Sequence, residues 1–150
     1  MRNLFNPANV EELKQRLDRL QPNAARLWGK MDAAQMLAHC AAGMELALGD
    51  RKPKRMAIGR LLGRFIKSKA FFDEVPMRRN SPTIPGLAID NPRDFSAERS
   101  RLLRLIDRFA EAGPAGCTDH PHAFFGDLTP DEWSAWMYKH LDHHLQQFGV

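Results

Sequence analysis

The chain has little of what most readily announces a function. Only Cys40 and Cys117 are cysteines, and they form no Cys-x-x-Cys, so a disulfide framework, a zinc ribbon and a thiol redox motif are all disfavoured. No run approaches about 18 apolar residues, which argues against a helical membrane span. The segment from Met1 to Pro7 also lacks the apolar core of a secretory leader, so a reducing, cytoplasmic location is expected. There is no internal repeat, no low-complexity tract and no alternating strand pattern of useful length. Paired carboxylates at catalytic spacing are missing, as is any DNA-binding motif with interleaved aromatics.

What remains is an ordinary globular composition, 43% hydrophobic and 27% charged, which excludes disorder and collagen-like structure. A chain of 150 residues buries roughly 70% of its unfolded surface without staples, so residues 1–150 are expected to form one domain.

Helical patterns account for most of the length. Asn9 and Glu12 have the spacing of a capping box, which predicts a first helix running to about Leu20, before Pro22. Asp32 and Gln35 predict a second start, with a helix to about Leu48 before Gly49. Ile58, Leu61, Leu62, Phe65 and Ile66 recur at helical spacing opposite Arg60, Arg64 and Lys67, which predicts a short amphipathic accessory helix. Pro76, Pro82, Pro85, Gly86 and Pro92 then predict a long irregular loop of the kind that often forms a lid. After Ser96, the pattern of Leu102, Leu103, Leu105, Ile106 and Phe109 predicts another helix, ending at Gly113-Pro114. The clearest start is Thr129-Pro130-Asp131-Glu132, which combines an N-cap, a proline at N1 and a returning glutamate. An all-α antiparallel bundle of about four helices, with the accessory helix and the Pro-rich loop, is the simplest assembly.

Histidines carry the best candidate chemistry. At about 100° per residue, His140 and His144 share the apolar stripe of the last helix with Trp133, Met137, Leu141 and Phe148, while His143 falls at its border. On the second helix, His39 flanks the packing face of Met36, Cys40, Met44 and Ala47, beside Gly43, whose missing side chain leaves space. Imidazoles four apart on a helix, with a third from a neighbouring helix, bind a divalent transition metal and leave a position open for catalysis. The competing reading is of hydrogen-bonded core histidines, or of a solvated C-terminal cluster favoured by the helix dipole.

Other candidates have plainer explanations. Cys117, His120 and His122 match no strong ligand spacing and are expected to belong to a turn-rich loop, with His122 placed to overhang the site. Cys40 is turned about 100° from His39 and is expected to be a small buried hydrophobe. Asp142 is turned away from the ligand face and is not expected to be a general base. The basic run Arg51, Lys52, Lys54, Arg55, Arg60, Arg64, Lys67 and Lys69 is expected to be a solvated helix face, with nucleic-acid, anionic-lipid and anionic-cosubstrate binding as rivals. Gly59 and Gly63, four apart, suit close packing. Trp28, Trp133 and Trp136 are expected to be core anchors, or, where exposed, a homodimer surface.

The stretch Leu27-Trp28-Gly29-Lys30-Met31-Asp32-Ala33-Ala34-Gln35-Met36-Leu37-Ala38-His39, with Leu128-Thr129-Pro130-Asp131-Glu132-Trp133 and the run from Tyr138 to Phe148, resembles the DinB/YfiT-like superfamily. It resembles more closely a branch of that superfamily known only as a domain of unknown function. The resemblance covers nearly the whole chain. It implies a four-helix bundle with an up-down-down-up path and a metal held by three histidines, which by motif are His39, His140 and His144. Zinc is the first expectation for the metal, with nickel or iron as alternatives. Leu145-Gln146-Gln147 stands where better-known members carry Arg-Gly-Gln, a departure that touches no ligand but bears on the substrate. The superfamily includes thiol-dependent S-transferases, a maleylpyruvate isomerase relative and members labelled hydrolases. Three functions follow as expectations: S-transfer from a low-molecular-weight thiol to a small electrophile, metal-assisted hydrolysis, and a non-enzymatic metal-binding or stress-associated module. No catalytic residue beyond the three ligands is assigned.

Overall fold

The structure is a computed structural model that describes residues 2–72, 76–84 and 86–150, without the side chains of Arg64, Ser68, Lys69, Ala70 and Phe72. Expectations for Arg64, Lys69 and Pro85 therefore lie outside the described residues. Among the described residues five α-helices follow in order: α1 (Pro7–Arg19), α2 (Ala33–Ala47), α3 (Ala57–Phe72), α4 (Phe95–Ala112) and α5 (Pro130–Gln147). A 3-10 turn, Gly113–Gly116, closes α4. Among the described residues there is no strand, only one isolated antiparallel bridge between His122 and Gly126. The protein is all-α, and no described helix is long and apolar enough to cross a membrane.

Local chemistry sets the helix starts. Asp32 with Gln35, and Thr129 with Glu132, form reciprocal capping boxes, each satisfying two otherwise orphaned amides. The first helix begins earlier than Asn9 suggests. Asn6 is the cap, accepting from the Ala8 amide, and Pro7 at N1 is pre-organised for the helix. Asn9 lies within the first turn, where its side chain donates to the Asn3 carbonyl.

Helices α1 and α2 each pack against both α4 and α5, which places one core among four helices. Buried on nearly all sides, α2 is the central element, more enclosed than the single packing face read from its sequence. The buried Arg16 ties α1 to α5 with a 2.7 Å ion pair to Asp142 and a 3.0 Å bond to the Val150 carbonyl. That pairing occupies Asp142, in keeping with its orientation away from the histidines.

The accessory helix α3 is oriented against expectation. Its apolar stripe, Ile58, Leu61, Leu62, Phe65 and Ile66, faces solvent, whereas Gly59 and Gly63 are buried against the backbone of Phe124. A Cβ at either glycine would sit under 3.0 Å from the Phe124 carbonyl, so their bare backbone permits the contact. The partner is a loop rather than another helix. Lys67, read as part of a solvated basic face, instead reaches inward to Glu132 and to the Asp127 carbonyl, both at 2.8 Å.

Candidate metal centre

Two helices bring the three histidines together. His39 from α2 and His140 and His144 from α5 are all buried, and their ligand-capable nitrogens lie within 4.8 Å of one another. The closest approach is 3.0 Å, between His39 Nε2 and His140 Nε2. Gly43 makes room for this, but for a different ring than its neighbour suggests. A Cβ there would meet His140 Cε1 at 3.2 Å and Nδ1 at 3.3 Å, so the glycine clears space for His140 rather than for His39.

The surrounding hydrogen bonds set the tautomers. His39 Nδ1 donates to the Leu87 carbonyl at 2.9 Å, and since a carbonyl only accepts, the His39 proton is on Nδ1 and the lone pair is on Nε2. The Gln147 amide donates through Nε2 to the Trp28 carbonyl at 2.7 Å, turning its Oε1 toward His144 Nδ1 at 2.9 Å. His144 therefore also keeps its lone pair on Nε2. Such outer partners orient imidazoles and raise their basicity toward a metal.

Burial keeps all three rings neutral near pH 7. It pushes His144 down to about 3 and lowers His39, and it takes His140 well below the ordinary imidazole range with the other histidines adding to the effect. With the His39 lone pair aimed at His140, the 3.0 Å contact requires either a shared proton or a cation. In either case the buried His140 Nδ1, bare with the shared proton and protonated with the cation, has no hydrogen-bond partner among the described residues. Tetrahedral zinc at about 2.0–2.1 Å places its nitrogens about 3.3 Å apart, close to the observed pair. With a lone pair on each of three neutral imidazoles, the chemistry of the donor set suits a divalent transition metal, which would draw together nitrogens now spread within 4.8 Å.

The site opens into a cavity of about 430 Å³. Trp28, Met31, Leu46, Trp136 and Met137 form much of its wall. The Pro-rich loop supplies another side through Met77, residues 80–84 and residues 87–89, so it borders the histidines as a lid-forming loop would. Lys30 also lines the cavity, and the Arg79 guanidinium stacks 4.1 Å from the centre of the Trp28 ring.

The remaining sequence candidates separate clearly. His122 lines the cavity, and its Nδ1 accepts from the Phe124 and Phe125 amides at 3.2 Å each, which leaves its proton on Nε2. Burial, with Arg55 nearby, lowers it to about 4. His120 bonds instead to the Pro53 carbonyl, and Cys117 joins no metal-ligating group among the described residues. Cys40 is fully packed, with Sγ 3.6 Å from Met36 Sδ, and burial raises its thiol far above the usual range. His143 sits beside Trp28 at the cavity wall, outside the three-histidine group. Trp133 is core, and Trp28 and Trp136 are half-buried cavity walls, so no tryptophan is exposed as a dimer anchor. Two orienting groups escaped sequence reading. Gln147 carries a weak signal, three residues beyond His144 on the same face, whereas nothing local marks the Leu87 carbonyl.

Fold and site together define a helical protein with a buried cluster of three neutral histidines at the end of a mostly apolar cavity. The chain belongs to the family described as "Protein of unknown function (DUF1569)", whose model matches residues 3–149. No curated protein and no solved structure matches it significantly.

Proposed function

We propose that residues 1–150 act as one DinB-like domain, an up-down-down-up bundle, in which His39, His140 and His144 hold a divalent transition metal for chemistry on a small molecule. Zinc is the first choice and nickel or iron the alternatives, because imidazole alone does not select among them. The observation that carries this reading is the convergence of three buried, neutral imidazoles from two helices, two of them with their Nδ1 protons engaged by carbonyl oxygens.

The reaction we favour is S-transfer from a low-molecular-weight thiol to a small electrophile in the cytoplasm. A divalent ion in this site supplies Lewis acidity, which lowers the pKa of a thiol or a water molecule. The chain's own residues do the rest. Leu87 and Gln147 orient two of the rings, Trp28, Trp136, Met31 and Met137 exclude bulk water, and His122 offers a neutral N–H at the wall. The cavity is of a size suited to small molecules.

Metal content of tag-free protein, measured by elemental analysis beside a His39→Ala variant, tests the site. Near-stoichiometric metal in the wild type and its loss in the variant are expected; equal metal at equal affinity in both would overturn the three-ligand reading. Consumption of model electrophiles with and without added thiol tests the reaction. Activity that persists after complete thiol removal would replace S-transfer with hydrolysis, and metal retention with no turnover on either panel would favour a binding module.

A further inference from the structure

Residues 51–72 contain eight Lys or Arg and no Asp or Glu. The same stretch carries five of the six large hydrophobic side chains exposed among the described residues: Ile58 at 54%, Leu61 at 71%, Leu62 at 41%, Phe65 at 63% and Ile66 at 42%. At about 100° per residue they form one continuous stripe along α3, about 140° wide. Contiguous exposed apolar surface of this kind marks an interaction site.

Built contacts hold the stripe outward. Gly59 and Gly63, on the side of α3 next to the stripe, seat the helix on the Phe124 backbone, closely enough to leave no room for a Cβ. Lys67 pins the flank to Glu132 and Asp127, and Phe71 packs on Phe125 and Trp136. Rolling the helix to bury Leu61 and Phe65 would break all of these contacts.

Charge selects the occupant. A second copy docked stripe to stripe would bring the exposed Lys52, Lys54 and Arg60 of each chain together with no acid from either segment. Nucleic acid offers phosphates but no apolar layer for Leu61 and Phe65. An anionic bilayer offers both, negative headgroups above an acyl boundary, and an amphipathic helix lying in that plane uses both at once.

We propose that α3 is a docking helix for an anionic membrane surface. Ile58, Leu61, Leu62 and Phe65 enter the headgroup–acyl boundary, while the exposed Lys52, Lys54 and Arg60 meet lipid phosphates. The mode is peripheral, consistent with the lack of a spanning helix among the described residues. The loop that α3 sits on carries His122, so the docked face lies one loop away from the cavity wall.

Flotation of the full chain with equimolar phosphatidylcholine–phosphatidylglycerol vesicles, beside pure phosphatidylcholine vesicles, tests this. Recovery on the anionic vesicles only, diminishing with added salt, is expected. Leu61→Ser with Leu62→Ser should weaken partitioning by roughly tenfold or more per side chain. Lys52→Gln, Lys54→Gln and Arg60→Gln together should weaken it by about fivefold per cation. All these positions are exposed, so the variants should melt like the wild type, and that control separates lost docking from lost folding. Equal recovery on both vesicle types, or serine variants that float like the wild type, would overturn the proposal. So would a dimer in sedimentation velocity that the serine variants dissociate in the absence of any vesicle binding, or duplex DNA binding that those variants retain.

Discussion

Gln147 holds His144 in a single tautomer, its Oε1 accepting the Nδ1 proton at 2.9 Å while its amide nitrogen is anchored on the Trp28 carbonyl. One side chain thus links the segment before α2 to the ligand face of α5. Leu87 does the same for His39 from the Pro-rich loop.

Replacing Gln147 with leucine keeps comparable bulk and removes both bonds. Metal affinity is expected to fall by about 10–100-fold, the usual effect of losing an outer partner of a ligating histidine. Competition against a chromogenic chelator measures it; an unchanged dissociation constant in a variant of normal melting temperature would show that the amide does not tune His144.

Gly43→Ala separates site geometry from stability. The new methyl would meet His140 at 3.2–3.3 Å, so the ring must shift by a few tenths of an ångström. Helix propensity gains up to about 1 kcal/mol from the same change, offsetting much of the crowding. Urea denaturation should therefore show nearly unchanged stability while metal titration shows weakened binding; losing stability but not affinity is the contrary result.

At Gly63, alanine faces backbone rather than a movable side chain, because its Cβ would collide with the Phe124 carbonyl. A loss of about 1–3 kcal/mol is expected, as for an overpacked core position. Protection of the α3 amides in hydrogen exchange should fall before that of α2, and uniform protection across both helices would contradict the packing assigned to α3.

Burial sets a pH dependence with a definite sign. His122 is held down at about 4 and His144 at about 3, against about 6.5 for a free imidazole, and His39 and His140 are displaced in the same direction. Between the folded and unfolded values the unfolded chain binds more protons. The stability is therefore fully present above about pH 6.5 and is lost as pH falls toward 4 and 3. The slope reaches about 1.4 kcal/mol per pH unit for each such histidine. Urea midpoints of chelator-treated protein should drop between pH 7 and 5, and a flat profile would mean that these rings are solvated.

The sequence by itself determined the elements whose causes are local. Asp32 with Gln35 and Thr129 with Glu132 start their helices through side chains three residues apart, and Pro130 completes the second start. The four-residue spacing of His140 and His144 put both rings on one face, and motif resemblance singled out His39. Asn6 shows the limit of that reading, since Asn9 three residues later offered a competing cap and the decision lay with Pro7.

Only the tertiary structure decided what depends on distant backbone. The 3.0 Å meeting of His39 with His140, across 101 positions, requires α2 and α5 to pack at one register. Leu87 contributes a carbonyl, a group every residue has, so no sequence pattern marks it. For α3, an apolar stripe normally predicts the buried face, but the space that two glycines leave beside Phe124 outweighed it and turned Leu61 and Phe65 to the outside. Hydrophobic periodicity says which residues share a face; which way that face points is settled by what the rest of the chain can bring against it.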